Sequence, residues 1–118
     1  MSMDREFLEE LFEPVGRVAF RRMFGGLGIF RDGLMFGLVA GDTLHLKADE
    51  RTHPDFETEG CEPFSYATKT GKRTLTSYWR MPERLFDEPD EFRDWAMRAV
   101  ETAIRADAAK ASKSARKR

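Results

Sequence analysis

Cysteine and histidine are scarce in this chain. Cys61 is the single cysteine, and His45 and His53 are the only histidines among 118 residues. One cysteine cannot close an intramolecular disulfide, and a zinc site built on two or four cysteines is excluded on the same count. The histidines fall in different expected elements, and no motif supplies a third and fourth ligand. Long apolar runs are also missing. The longest, Leu34 to Ala40, is far short of the ~20 residues a membrane span needs. The opening, Met1-Ser2-Met3-Asp4-Arg5-Glu6, is polar and charged, without the apolar run of a secretory signal. These absences give the expectation of a cytoplasmic protein with no metal, no cofactor and no membrane contact.

Catalytic patterns are equally sparse. Gly25, Gly26 and Gly28 lack the spacing and the following Lys-Ser/Thr of a phosphate loop, and they precede a strand rather than a helix. They read as turn residues. The adjacent acids Glu9-Glu10 and Asp87-Glu88, and Glu57 with Glu59, read as solvated helix faces and caps, so no acid–base pair stands out. Cys61 has no activating motif beside it in sequence. No catalytic residue is assigned, and the chain is not expected to be an enzyme.

What is present is one domain's worth of core. Hydrophobic residues make up 41% and include ten Phe, within the length of a single domain. The net charge of −1 hides an asymmetry. Residues 110–118 hold Lys110, Lys113, Arg116, Lys117 and Arg118 and no acid; removing these five from 20 basic residues leaves 15 against 21 acidic ones. An acidic body carries a basic end.

Periodicity predicts a first helix over Met3 to Glu13, with Phe7, Leu8, Leu11 and Phe12 at helical spacing and Ser2 as its cap. A strand follows over Arg17 to Arg22, then a turn at Gly25-Gly26. Leu27–Arg31 and Leu34–Val39 flank Asp32-Gly33, a two-residue hairpin loop. Simple alternation puts Leu34, Phe36 and Leu38 on one face of the second strand and Met35 and Val39 on the other. A strand apolar on both sides belongs in a sheet covered on both faces, or beside an oligomer contact. Thr43 to Lys47 adds a further strand, and Glu50 to Thr58 a short helix. A second hairpin is expected around Lys69-Thr70-Gly71-Lys72, between strands over 64–67 and 73–80, and one helical turn over 83–86. The last helix carries Phe92, Trp95, Ala96, Ala99, Val100 and Ala103 as one apolar stripe. Residues 108–118, with no apolar side chain larger than Ala, are expected to fray into a disordered tail. The fold class is α+β: an antiparallel sheet of two meanders with the N- and C-terminal helices packed on it, over residues 1–107.

Two features point to binding. Arg21 and Arg22 abut the Gly25-Gly26 turn, and alternation sends the two guanidinium groups to opposite faces. These four residues are the candidate protein-binding segment, since Arg is enriched where a planar fork can grip a carboxylate. Lys69, Lys72, Arg73 and Arg80, with Tyr78 and Trp79 between them, and the tail residues Lys113, Arg116, Lys117 and Arg118, are the candidate nucleic-acid contacts. Trp79 is expected in the core rather than as a stacking platform.

Arg21-Arg22-Met23-Phe24-Gly25-Gly26-Leu27-Gly28 resembles the R-x-M-F-G-G-x-G signature of the N-terminal domain of the TfoX/Sxy family. Asp32-Gly33-Leu34-Met35-Phe36 and Leu44-His45-Leu46-Lys47-Ala48-Asp49 resemble that family's D-G-x-x-F and L-Y-L-K-x-D segments, in order. Pro63-Phe64-Ser65-Tyr66, Ser77-Tyr78-Trp79, Pro82 and Trp95 continue the similarity across about residues 7–105. His45 stands where the family usually has Tyr. The resemblance implies a regulator that promotes competence-gene transcription with the cyclic-AMP receptor protein, and no catalytic residue or cofactor. Full-length members carry a second, helical domain, where this sequence has its basic end. The expected partner is therefore a protein, with the transcription machinery as its candidate class. Nucleic acid is the second partner class, and the oligomeric state, a dimer included, stays open.

Overall fold

The computed structural model describes residues 3–23 and 25–116. Ser2, Lys117, Arg118 and Phe24 of the signature lie outside that set. Helix α1 (Arg5–Leu11) is capped by Asp4, whose Oδ1 accepts the Phe7 N–H at 2.8 Å. It buries Leu8 and ends before Pro14, which sits in a short 3-10 turn over Glu13–Val15. Six strands follow: β1 (Val18–Met23), β2 (Gly26–Arg31), β3 (Leu34–Ala40), β4 (Thr43–Lys47), β5 (Pro63–Thr68) and β6 (Gly71–Arg80). Helix α2 (His53–Thr58) lies between β4 and β5, and a 3-10 turn (Glu83–Asp87) leads into α3 (Pro89–Arg116).

All strand pairs are antiparallel, in the order β1-β2-β3-β4-β6-β5. The α+β class is therefore as expected, a four-strand meander followed by a hairpin whose second strand joins β4. Asp32 and Gly33 take φ of 50° and 82°, the doubly positive turn that matches strand twist. The second hairpin is tighter than expected: Thr68 pairs with Gly71, leaving Lys69 and Thr70 as its loop.

One face of the sheet carries the helices. Phe12 meets Phe20, Phe36 and Phe92 edge to face, at 6.2, 5.8 and 5.0 Å, tying the end of α1 to β1, β3 and α3. The α3 stripe lies on this core, with Phe92 and Ala96 fully buried. Trp79 packs against Phe56 of α2, and Phe56 against Trp95 at 5.0 Å. Trp79 is 8% exposed and is a core residue.

Simple alternation fails in β3. The register slips between Ile29/Phe30 of β2 and their partners, so Ile29 faces Gly37 while Phe30 faces Met35. This bulge puts one extra residue into β3. Leu38 consequently joins Met35 on the outer face, and Val39 joins Leu34 and Phe36 beneath the helices. The grouping of Leu34, Phe36 and Leu38 read from spacing is corrected accordingly.

The helix boundary is corrected too. α3 does not fray at Asp107 but continues to Arg116. Ala and Lys have high intrinsic helix propensity, and extending an existing helix needs no new nucleus, so this segment holds its form without burying a stripe. Residues 106–113 are all exposed. Among the described residues no helix is long and apolar enough to cross a membrane.

Candidate partner-binding face

The family signature resolves into backbone requirements. Gly25 has φ 76°, a left-handed value that costs any other side chain energy. A Cβ on Gly26 would stand 2.3 Å from the Val39 carbonyl oxygen, so the close approach of β2 to β3 needs glycine there. A Cβ on Gly28 would meet Met23 Sδ at 2.7 Å, Phe30 Cε1 at 2.8 Å and Met35 Sδ at 3.0 Å. Those three side chains close over Gly28 on the face opposite the helices.

Arg21 and Arg22 do go to opposite sides. The Arg21 guanidinium lies 5.4 Å from the centre of the Phe30 ring, on the outer face. Arg22 lines an open cleft of about 830 Å³ with Asp4, Arg5 and Asp42. Both arginines are exposed, and among the described residues neither is in an ion pair.

The outer face holds a second, more apolar depression, a trough of about 410 Å³. Met23, Met35, Leu38, Phe64, Tyr66 and Leu75 line it, drawn from both ends of the sheet order. The sheet is therefore coiled enough to bring the β1–β2 hairpin and the β5–β6 hairpin to one concavity. Phe64 and Tyr66 stack at 5.7 Å, and Tyr78 donates its hydroxyl to the Met35 carbonyl at 3.3 Å. Burial pushes the Tyr78 phenol up to about 12. Among the described residues the exposed large apolar side chains are Tyr66, Leu75 and Ile104, and the first two stand in this trough.

Charge on the sheet has one sign. The strands carry Arg21, Arg22, Arg31, Lys47, Lys72, Arg73 and Arg80, and no Asp or Glu. Register assigns four of these to the outer face: Arg21, Lys47 opposite Tyr78, Arg80 opposite His45, and Arg73 opposite Tyr66. Arg31 points the other way and donates to Met97 Sδ of α3. Of the candidate nucleic-acid residues, Lys69, Lys72, Arg73, Arg80 and Lys113 are exposed. The aromatic residues between them are not available for stacking, since Tyr78 and Trp79 are 7% and 8% exposed. The backbone of Arg116 is helical, and Lys117 and Arg118 lie outside the described residues.

The groups that would serve chemistry are held structurally. His45 is buried, its Nδ1 is 3.2 Å from the Leu38 carbonyl, and its ring meets Phe64 edge to face. Burial lowers its pKa, against the bonds to the Leu38 and Thr43 backbone, and Arg80 lowers it further. His53 Nε2 sits 2.8 Å from the Thr76 carbonyl, and its ring lies beside Trp79. Burial raises the pKa of the Cys61 thiol, the opposite of nucleophile activation, and neighbouring Arg80 offsets this only in part. Glu59, Glu88 and Glu91 all accept from Arg84, which clasps the end of α2 to the start of α3. Among the described residues no three His, Cys, Asp or Glu converge as metal ligands.

Spacing singles out Arg21, Arg22, Gly25 and Gly26; of these Arg21 and Gly26 share the outer face with Met35, Leu38, Phe64, Tyr66 and Leu75, which spacing does not single out. Two signals pointed there: the doubly apolar β3 and the absence of acids from every strand.

The profile of the TfoX N-terminal domain family matches residues 10–103. The chain belongs to the TfoX N-terminal domain family. A DNA transformation protein, TfoX1 of Aliivibrio fischeri, is 30% identical to it over 106 residues, which is 86% of this chain and 50% of that protein. The chain thus spans about half the length of that curated relative. The matched stretch includes every strand and all of the α3 stripe, and leaves most of α1 and the last turns of α3 outside it.

Proposed function

We propose that this TfoX-type domain is a non-enzymatic regulatory module for DNA uptake that acts through protein contacts. The observation that carries this reading is the outer sheet face. Its trough is apolar, it keeps Tyr66 and Leu75 exposed, and no helix of the described residues covers it. A patch of that kind on a soluble domain marks an interaction surface. Kinship with a DNA transformation protein supplies the process. The buried His45 and Cys61 serve the packing of β4 and of the α2–β5 loop rather than a reaction.

The nucleic-acid reading rests on the exposed cations of the β5–β6 hairpin and on Lys113. It is the second reading because its aromatic partners, Tyr78 and Trp79, are buried, and base stacking contributes to the grip of single-strand binders. Transcripts of DNA-uptake genes, measured with the gene for this chain deleted, restored and overproduced, test the proposal. Transcripts should fall on deletion and recover on restoration. Levels that do not move in any of the three strains refute the regulatory role.

A further inference from the structure

We infer that the outer trough receives an amphipathic α-helix of a partner protein, with its apolar stripe bordered by Asp and Glu. This rests on the reading above that the chain works through protein contacts, and it names the chemistry of the partner. Three arguments lead to it.

The first is charge. The trough floor is apolar, and the charged side chains that the strands place on its face are Arg21, Lys47, Arg73 and Arg80, with Glu62 of the loop before β5 beside Arg80 alone. No strand offers an acid to neutralise them. An occupant that brings carboxylates to the border and apolar groups to the floor satisfies both, and bidentate pairing with Arg fixes its register.

Symmetry gives the second argument. A two-fold contact lays a patch on its own equivalent. Two copies of this chain joined through the trough would set Arg21 and Arg73 of one against the same cations of the other. Like charges across an interface are a cost rather than a bond.

The third concerns the backbone. The trough lies on the face of a sheet whose N–H and C=O groups are already paired within the ladder. An extended segment would find few backbone partners on that face. A helix satisfies its own, and presents side chains at i, i+3, i+4 and i+7 to a groove. Met23 and Met35 at one end suit such a guest, because the unbranched thioether adapts to the shape placed on it. Single-stranded nucleic acid is the weaker fit: of the rings near the trough, Tyr66 is the one at 41% exposure, while Tyr78 is at 7%.

Photocrosslinking in cells tests this directly. Benzoylphenylalanine is placed at Leu75 or Tyr66 of the full chain, with Glu101 on the exposed side of α3 as the control position, and the adducts are sequenced by mass spectrometry. Both trough positions should capture the same segment, with helical apolar spacing and flanking carboxylates, and Glu101 should not. Reversing Arg21→Glu and Arg73→Glu together should lower the yield by about tenfold. Adducts to nucleic acid, to peptides of this chain itself or to a segment flanked by Lys and Arg overturn the inference. So does the absence of adducts from a chain whose circular dichroism is that of the wild type. Leu75→Asp separates the two readings. If this variant folds and sustains DNA-uptake transcripts at the wild-type level, the trough assignment fails and the regulatory role stands; if the unaltered chain does not move those transcripts, the regulatory role itself fails.

Discussion

Arg105 of α3 places Nε 3.1 Å and Nη2 3.0 Å from one carboxylate oxygen of Asp49, in the loop after β4. The pair fastens the last buried turn of α3, around Thr102 and Ala103, to the loop that leads into α2. Burial opposes ionisation of Asp49, but the bonds from Arg105 and from the Arg51 amide outweigh it and hold its pKa below the usual carboxylate value. A carboxylate depressed in the folded state stabilises the fold above its unfolded pKa of about 4, and that contribution is lost as pH falls through the folded value. Asp49→Asn should therefore cost at most ~1 kcal/mol near neutral pH, both side chains being about one-third exposed. The gap between the two proteins should close as denaturant titrations are taken below about pH 4. A gap that persists undiminished in acid would show that charge is not what Asp49 contributes.

Trp95 is the anchor of the α3 stripe, 7% exposed and edge to face with Phe56. Trp95→Ala should cost about 3–5 kcal/mol, the range for truncating a large buried aromatic. That is a large share of the ~5–15 kcal/mol that holds a domain of this kind together. Chemical denaturation followed by circular dichroism measures it, and a loss under about 1 kcal/mol would mean the stripe is not in the core.

The two glycines of the signature turn should respond differently to the same substitution. Gly25→Ala has free space around its Cβ and meets only the left-handed backbone, which costs roughly 1–2 kcal/mol. Gly26→Ala drives a methyl onto the Val39 carbonyl and has to part β2 from β3, for a loss of more than about 2–3 kcal/mol. Thermal midpoints of the two variants, measured side by side, should fall in that order. The reverse order would place the constraint at the turn rather than in the strand contact.

Tyr78 offers an alkaline counterpart to Asp49. Its phenol is pushed up to about 12 by burial, so between pH ~10 and 12 the folded chain keeps a proton that the unfolded chain has released. Stability must then decline as pH rises through that interval. Ultraviolet titration should find one tyrosine ionising near 12, and Tyr78→Phe should remove it and flatten the alkaline decline. A wild-type chain whose tyrosines both ionise together would place Tyr78 in water.

Features that depend on neighbours in sequence could be read before any coordinates. Asp32-Gly33 dictates its hairpin because the doubly positive turn is a property of two residues. The α3 stripe follows from helical spacing alone, and the glycines at 25, 26 and 28 belong to a segment whose order identifies the family. The opposite directions of Arg21 and Arg22 needed no more than the pleat of one strand. The helical form of residues 108–116 also follows local chemistry, through the propensity of Ala and Lys rather than through a buried stripe.

The partner-binding face belongs to tertiary structure. A bulge opposite Ile29 and Phe30 moves Leu38 outward and Val39 inward, and a bulge is a mismatch between two strands that neither records alone. Leu75 and Phe64 reach the same trough as Met23 because the sheet coils, bringing hairpins some 50 residues apart in sequence to one concavity. Strand assignment alone shows that every acid falls in helices, turns and loops and none in a strand, but it does not show which cations share a face. Pairing the strands sets Arg21, Lys47, Arg73 and Arg80 on one surface and turns Arg22 and Arg31 to the other, because register decides which side chains share a face.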